Sequence, residues 1–101
     1  MSSFVRRDFL RFTADLFAIE PEYLVGHNRR LRFSKARFAM YKALRMRGTT
    51  FSQIGRWCER DHSTVRHGVE RAEYYMERDE TFRKRVMRLV EFCAPKDDTC
   101  N

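Results

Sequence analysis

Between Thr50 and Met76 the sequence lays two helical patterns almost end to end. Thr50-Phe51-Ser52-Gln53 has the form of a capping box, in which the Thr and Gln side chains satisfy backbone donors at a helix start, and a short helix then carries Phe51, Ile54 and Trp57 inward. Asp61 begins a longer helix whose Val65, Val69, Ala72 and Met76 share a single stripe, leaving His62, Ser63, Arg66 and His67 pointing largely elsewhere. Only Cys58, Glu59 and Arg60 stand between the two patterns, so the segment reads as helix, brief turn, helix.

The flanking segments read as helices too. Ser2 or Ser3 can cap a first one, in which Val5, Phe9, Phe12 and Leu16 recur at the period of one buried face. It should stop before Pro21, because the residue ahead of a proline is pushed out of the helical region, and a short turn of helix around Glu22 to Val25 follows. Gly26 to Arg32 has turn formers and no apolar period, which predicts a basic loop. Ser34 can start a further helix with Ala36, Ala39, Met40, Ala43 and Leu44 along one face, ended by Gly48. A last helix from about Thr81 to Cys93, opened by Asp79, buries Phe82, Val86 and Leu89, and Pro95 to Asn101 reads as a frayed tail. The expected fold is all-α, a compact domain of five to six helices over residues 1–94 with a central helix-turn-helix. At 101 residues with nine Phe, the chain can bury a modest aromatic core and has no room for a separate catalytic domain.

The placement of charge says more than its total. The formal net charge is +7, and between Tyr23 and Cys58 there is no Asp or Glu, while nine basic residues fall there: Arg29, Arg30, Arg32, Lys35, Arg37, Lys42, Arg45, Arg47 and Arg56. A positive field confined to one segment suits a polyanion, since it steers association and releases counterions from phosphates. Arg outnumbers Lys seventeen to four, which favours bidentate phosphate or guanine contacts over point-charge attraction. The plainer alternative is a basic face kept for solubility. Cys58, Cys93 and Cys100 are odd in number and share no ligand spacing, so neither a disulfide framework nor a metal site is indicated, and a reducing cytoplasm fits. No apolar run approaches the ~18 residues of a membrane span, and the N-terminus lacks the apolar core of a signal peptide. The expectation is a soluble, cytoplasmic, nucleoid-associated protein without a cofactor.

In a helix-turn-helix the second helix enters the major groove N-terminus first, so its opening residues meet base edges. Here they are Asp61, His62, Ser63 and Thr64. Asp accepts from the cytosine amino group, His and Ser donate or accept, and the Thr methyl can meet that of thymine. The helix end also offers free N–H groups and a positive dipole to phosphate. Each residue has a duller reading: Asp61 as an N-cap, Ser63 and Thr64 as first-turn residues facing water, His62 and His67 as surface histidines. Catalysis is not expected, because Asp61, His62 and His67 lack a nucleophile, paired carboxylates or a phosphate loop.

The string Arg60-Asp61-His62-Ser63-Thr64-Val65-x-His67 after Ile54-Gly55 resembles the signature of the C-terminal DNA-binding domain, domain IV, of the bacterial replication initiator DnaA, a Trp-repressor-like fold. Arg37-Phe38-Ala39-Met40-Tyr41 is similar to another helix of that family, Arg29-Arg30-x-Arg32 falls at its basic loop, and the likeness spans roughly Phe9 to Phe92. The resemblance implies major-groove contacts by Arg60, Asp61, His62, Ser63 and Thr64, with His67 close to the DNA. It implies that an arginine of the basic loop, Arg29 or Arg30 beside Arg32, enters the adjacent minor groove, narrow over A·T pairs. Arg37, Thr50 and Phe51 would sit near phosphates, and Lys35, Lys42, Arg45 and Arg66 are further phosphate candidates.

Some features depart from the family pattern. Arg56-Trp57-Cys58-Glu59 stands where it has Phe-Gly-Gly, giving a shorter turn without glycines, and the basic loop is one residue short. No Gly-x-x-x-x-Gly-Lys-Ser/Thr loop is present, so ATP-driven assembly is not expected of this chain itself. The function implied is binding of double-stranded DNA at DnaA-box-like sites, one monomer per site, modulating replication initiation or transcription, in competition or cooperation with full-length DnaA or another replication protein. The alternative is a protein-interaction module of the same fold with weak or nonspecific DNA binding, for which exposed Tyr74 and Tyr75 would serve.

Overall fold

The computed structural model describes residues 3–26 and 28–93, with side chains from Arg7 to Phe92, and every regular element in it is a helix. The side chain of Val5, the expected Ser2 and Ser3 caps and the expected tail lie outside the described residues. Helix α1 spans Ser3–Leu16, α2 Pro21–Val25, α3 Leu31–Met46, α4 Phe51–Cys58, α5 His62–Arg78 and α6 Glu80–Cys93.

Helix α3 is the hub, packed against each of the other five. Its Ala36, Ala39, Met40, Ala43 and Leu44 are buried, as their spacing predicts, and the three alanines admit neighbouring helices at close range. The main core joins Ala39, Met40, Ala43 and Leu44 to Phe9, Ile54, Val65, Val69, Ala72, Phe82, Val86 and Leu89, and Ala36 belongs to a smaller cluster with Ala14 and Leu24. Thr13 is buried in the first helix, and its hydroxyl donates to the Phe9 carbonyl at 2.8 Å, one turn back, so its burial leaves that group paired.

Helix α1 stops before Pro21, at Leu16, as expected, and Pro21 opens α2 as its first helical residue, where a missing N–H costs nothing. One boundary differs from the sequence expectation. Helix α3 begins at Leu31, three residues before Ser34, so Arg32 is in its first turn and not in a loop. The extra turn is held by Phe33, whose ring stacks on Tyr23 of α2 at 4.3 Å, while Leu31 stays 57% exposed and so contributes no apolar period. Phe33 also continues the buried face of α3, three residues before Ala36. The other ends follow the expectation: Gly48, at φ +95°, closes α3, and Thr50 and Gln53 form the reciprocal capping box of α4. Tyr75, read as exposed, is partly buried between Phe82 and Phe38; Tyr74 is the exposed one of the pair.

Candidate nucleic-acid interface

The connection from α4 to α5 is made of Glu59, Arg60 and Asp61 and turns on a carbonyl. Both the Glu59 and Arg60 N–H groups donate to Gly55 O, and the chain folds back so closely that a Cβ at Gly55 would lie 2.5 Å from Arg60 O. Glu59 takes the left-handed conformation, φ 55° and ψ 49°, at a position glycine would occupy without strain. A second close approach seats the other end of the motif: a Cβ at Gly68 would lie 2.6 Å from the Tyr41 ring, so α5 lies directly on α3. Burial pushes the Tyr41 phenol up to about 12, the Cys58 thiol adding to it.

Packed this way, α5 buries Val65, Gly68, Val69 and Ala72 and turns Asp61, His62, Ser63, Thr64, Arg66 and His67 outward, all exposed. Among the described residues none of these six side chains has a hydrogen-bond or ion-pair partner. Asp61 stands at the N-cap with extended backbone, yet its carboxylate caps nothing. The first backbone bond of the helix runs from Val65 N–H to Asp61 O, so the N–H groups of His62, Ser63 and Thr64 are left open at the positive end of a 17-residue helix. The tip therefore presents an acceptor, hydroxyls, an imidazole and open backbone donors to whatever meets it.

Arg60, which the family resemblance sets among the base contacts, does not share that freedom in the free protein. Its guanidinium faces back into the protein: Nη1 donates to Cys58 O at 3.2 Å and Glu59 O at 3.4 Å, and Nη2 donates to Val25 O at 3.4 Å and to Gly26 O. Arg37, expected near a phosphate, is likewise internal. It is 8% exposed, with Nε on Leu24 O at 3.0 Å and Nη2 on Tyr23 O at 2.7 Å. Burial holds Arg37 below the ordinary arginine value, Tyr41 opposing this and the Arg60 charge adding to it. Four consecutive carbonyls at the C-terminal end of α2, which a helix of five residues cannot pair internally, are thus satisfied by two arginines.

The remaining cations divide into tied and free. Lys42 is ion-paired with Glu73 at 2.8 Å, and Lys35 lies 3.5 Å from Asp79 and over the Tyr75 ring, so acids of α5 and its C-cap have already met the lysines expected at phosphates. Arg45 stacks on Phe51, another expected contact, at 4.8 Å, and Arg32 stacks on Phe33 and donates to Ala18 O. The Thr50 hydroxyl oxygen accepts from Gln53 N–H in the cap. Arg29, Arg30, Arg56 and Arg66 are exposed, and no partner side chain holds them among the described residues. The Asn28 side chain accepts from Arg30 N–H at 3.0 Å, shaping the short loop that carries Arg29 and Arg30. Through Arg60, that loop is fastened beside the start of α5. Arg56, on the outer face of α4, was visible in the acid-free stretch but had no motif to single it out. No group of three potential metal ligands occurs among the described residues, and no described helix is long and apolar enough to cross a membrane.

A family model described as bacterial dnaA protein helix-turn-helix matches residues 7–72, from α1 through the buried part of α5. No curated protein matches the chain.

Proposed function

Because the chain belongs to the bacterial DnaA helix-turn-helix family, a family of DNA-binding domains, we propose that it binds double-stranded DNA selectively at DnaA-box-like sites and thereby modulates replication initiation or transcription. Asp61, His62, Ser63 and Thr64 enter the major groove with Arg66 and His67 behind them, while Arg29 or Arg30 enters the neighbouring minor groove. The observation that carries this reading is the open tip of α5: six exposed side chains and three backbone donors without partners, flanked by free arginines. A helix end kept only for the fold gains from being capped, at about 1 kcal/mol, and Asp61 is placed to do so without doing it.

The test is fluorescence anisotropy at one fixed salt concentration, comparing a DnaA-box duplex with a scrambled duplex of the same composition. The expected result is tighter binding to the box by at least an order of magnitude, with affinity for both falling steeply as salt rises. Equal affinity for the two would defeat the reading. It would also favour the second one, contact with another protein such as full-length DnaA, for which Tyr74 is the supporting observation. Tyr74 is 43% exposed and its ring lies under Arg78 at 3.8 Å and Arg71 at 4.9 Å, a cationic aromatic surface three turns along α5 from its tip.

A further inference from the structure

Arg60 sits in the middle of the string expected to touch bases, yet its four contacts are all to carbonyls of its own chain, and they join two parts of the molecule. Two of the carbonyls, Cys58 and Glu59, belong to the end of α4 and the turn that aims α5. The other two, Val25 and Gly26, end α2, immediately before the loop that carries Arg29 and Arg30. The planar guanidinium presents donors in a fixed fork, so it can hold both pairs at once, which a lysine ammonium on a flexible stem does not do. Arg37 secures the two preceding carbonyls to α3, and the Asn28 side chain closes the far end of the loop onto Arg30.

We propose that Arg60 is a positioning residue: it locks the basic loop to the helix-turn-helix, so that the major-groove tip and the minor-groove arginine meet a duplex in one fixed register. Arg60 then sets specificity at base pairs it never touches, acting through Arg29 and Arg30. Holding the loop before DNA arrives also removes an ordering cost from binding. The inference rests on the two-groove reading above for its consequence on DNA, but the lock itself belongs to the free protein.

The experiment therefore has two arms. In the first, without DNA, nitrogen-15 relaxation of the Asn28, Arg29 and Arg30 amides is compared in wild type and Arg60→Ala, with circular dichroism to verify that the variant is folded. Increased fast motion confined to these amides is expected, and unchanged relaxation overturns the proposal. In the second arm, affinities are measured for a box duplex, for one whose A·T-rich minor-groove half is replaced by G·C, and for one altered in the other half. Replacing the A·T half should cost wild type roughly tenfold. In Arg60→Ala that penalty should fall below about twofold, while the penalty for the other half persists. Arg60→Lys should behave like Arg60→Ala; a lysine variant that matches wild type in both arms shows that charge alone suffices and overturns the proposal. Adding Arg29→Ala and Arg30→Ala to Arg60→Ala should bring little further loss, because all three act through one contact. Additive losses, with the Arg60→Ala effect confined to a base pair in the major-groove half, would mean that Arg60 reads a base and would overturn the proposal. Loosened amides in the first arm together with no box preference in wild type would sustain the lock and defeat the DNA reading instead.

Discussion

Helices α5 and α6 each begin at an aspartate in the N-cap position, and the two aspartates are treated in opposite ways. Asp79 accepts the Phe82 N–H at 3.1 Å and lies beside Lys35, and these contacts, the backbone hydrogen bond first, hold its carboxyl below the ordinary value. Asp61 accepts nothing, and the residues after it leave their N–H groups open. Sequence propensity alone does not separate the two, since Asp is an equally good cap at both places. The difference is one of surroundings. Asp79 stands beside Lys35 of α3 and just ahead of the buried Phe82, whereas Asp61 follows the tight turn at Gly55 and precedes three exposed residues. The same division runs through the cations: Arg37, Arg60, Lys35 and Lys42 hold carbonyls or acids, while Arg29, Arg30, Arg56 and Arg66 are exposed and uncommitted. Tied polar groups build the fold, and six untied side chains, Asp61 to Thr64, Arg66 and His67, share one helix end.

Substitutions can break that contrast or make it finer. The largest effect is expected from Arg37→Met, which leaves the Tyr23 and Leu24 carbonyls unpaired. Chemical denaturation should report a loss of about 3 kcal/mol, with DNA discrimination retained by the folded fraction. His62→Ala should do the reverse: the preference for a box over a scrambled duplex falls by roughly 1–3 kcal/mol and the melting temperature holds. A preference that survives His62→Ala would place base reading elsewhere. Next comes the aspartate pair itself. Asp79→Ala should lower the melting temperature without altering discrimination, and Asp61→Ala should alter discrimination without lowering the melting temperature. The Asp79 contribution also has a pH signature. Because its folded value is depressed, its stabilisation is present above the ordinary 3.8 and is lost as pH falls through the lower folded value, so melts of wild type and Asp79→Ala should converge in acid. The smallest effects separate Lys42 from Arg66. Lys42→Ala should cost under about 1 kcal/mol of stability and leave the salt dependence of binding unchanged. Arg66→Ala should leave stability alone and reduce the slope of log affinity against log salt by about 1.

The helical stripes were legible because they are local. Ala36 to Leu44, Val65 to Ala72 and Phe82 to Leu89 fall at helical spacing, and burial follows the pattern. The capping box at Thr50 and the closing Gly48 were legible for the same reason. What the sequence did not disclose depends on contacts between residues far apart in the chain. Arg37 and Arg60 read as surface cations until α2 is folded against α3 and the turn, when its unpaired carbonyls claim both guanidinium groups. Lys35 and Lys42 read as free until α5 and its C-cap bring Asp79 and Glu73 across to them. Phe33 extends the buried face of α3, three residues before Ala36 and seven before Met40, but the exposed Leu31 and charged Arg32 beside it blur the pattern at that end. Conversely, the acid-free stretch could not tell which of its cations face outward: Arg29, Arg30 and Arg56 do, while Arg37 is buried.

The division between tied and untied groups is tested most directly by following the amide and side-chain NMR signals of the whole domain as a DnaA-box duplex is added. Perturbations should gather at residues 61–67 and at Arg29 and Arg30, with the Lys35, Lys42 and α6 signals nearly still. Perturbations centred on α6 or on the Tyr74 surface, with the α5 tip unmoved, would contradict the account.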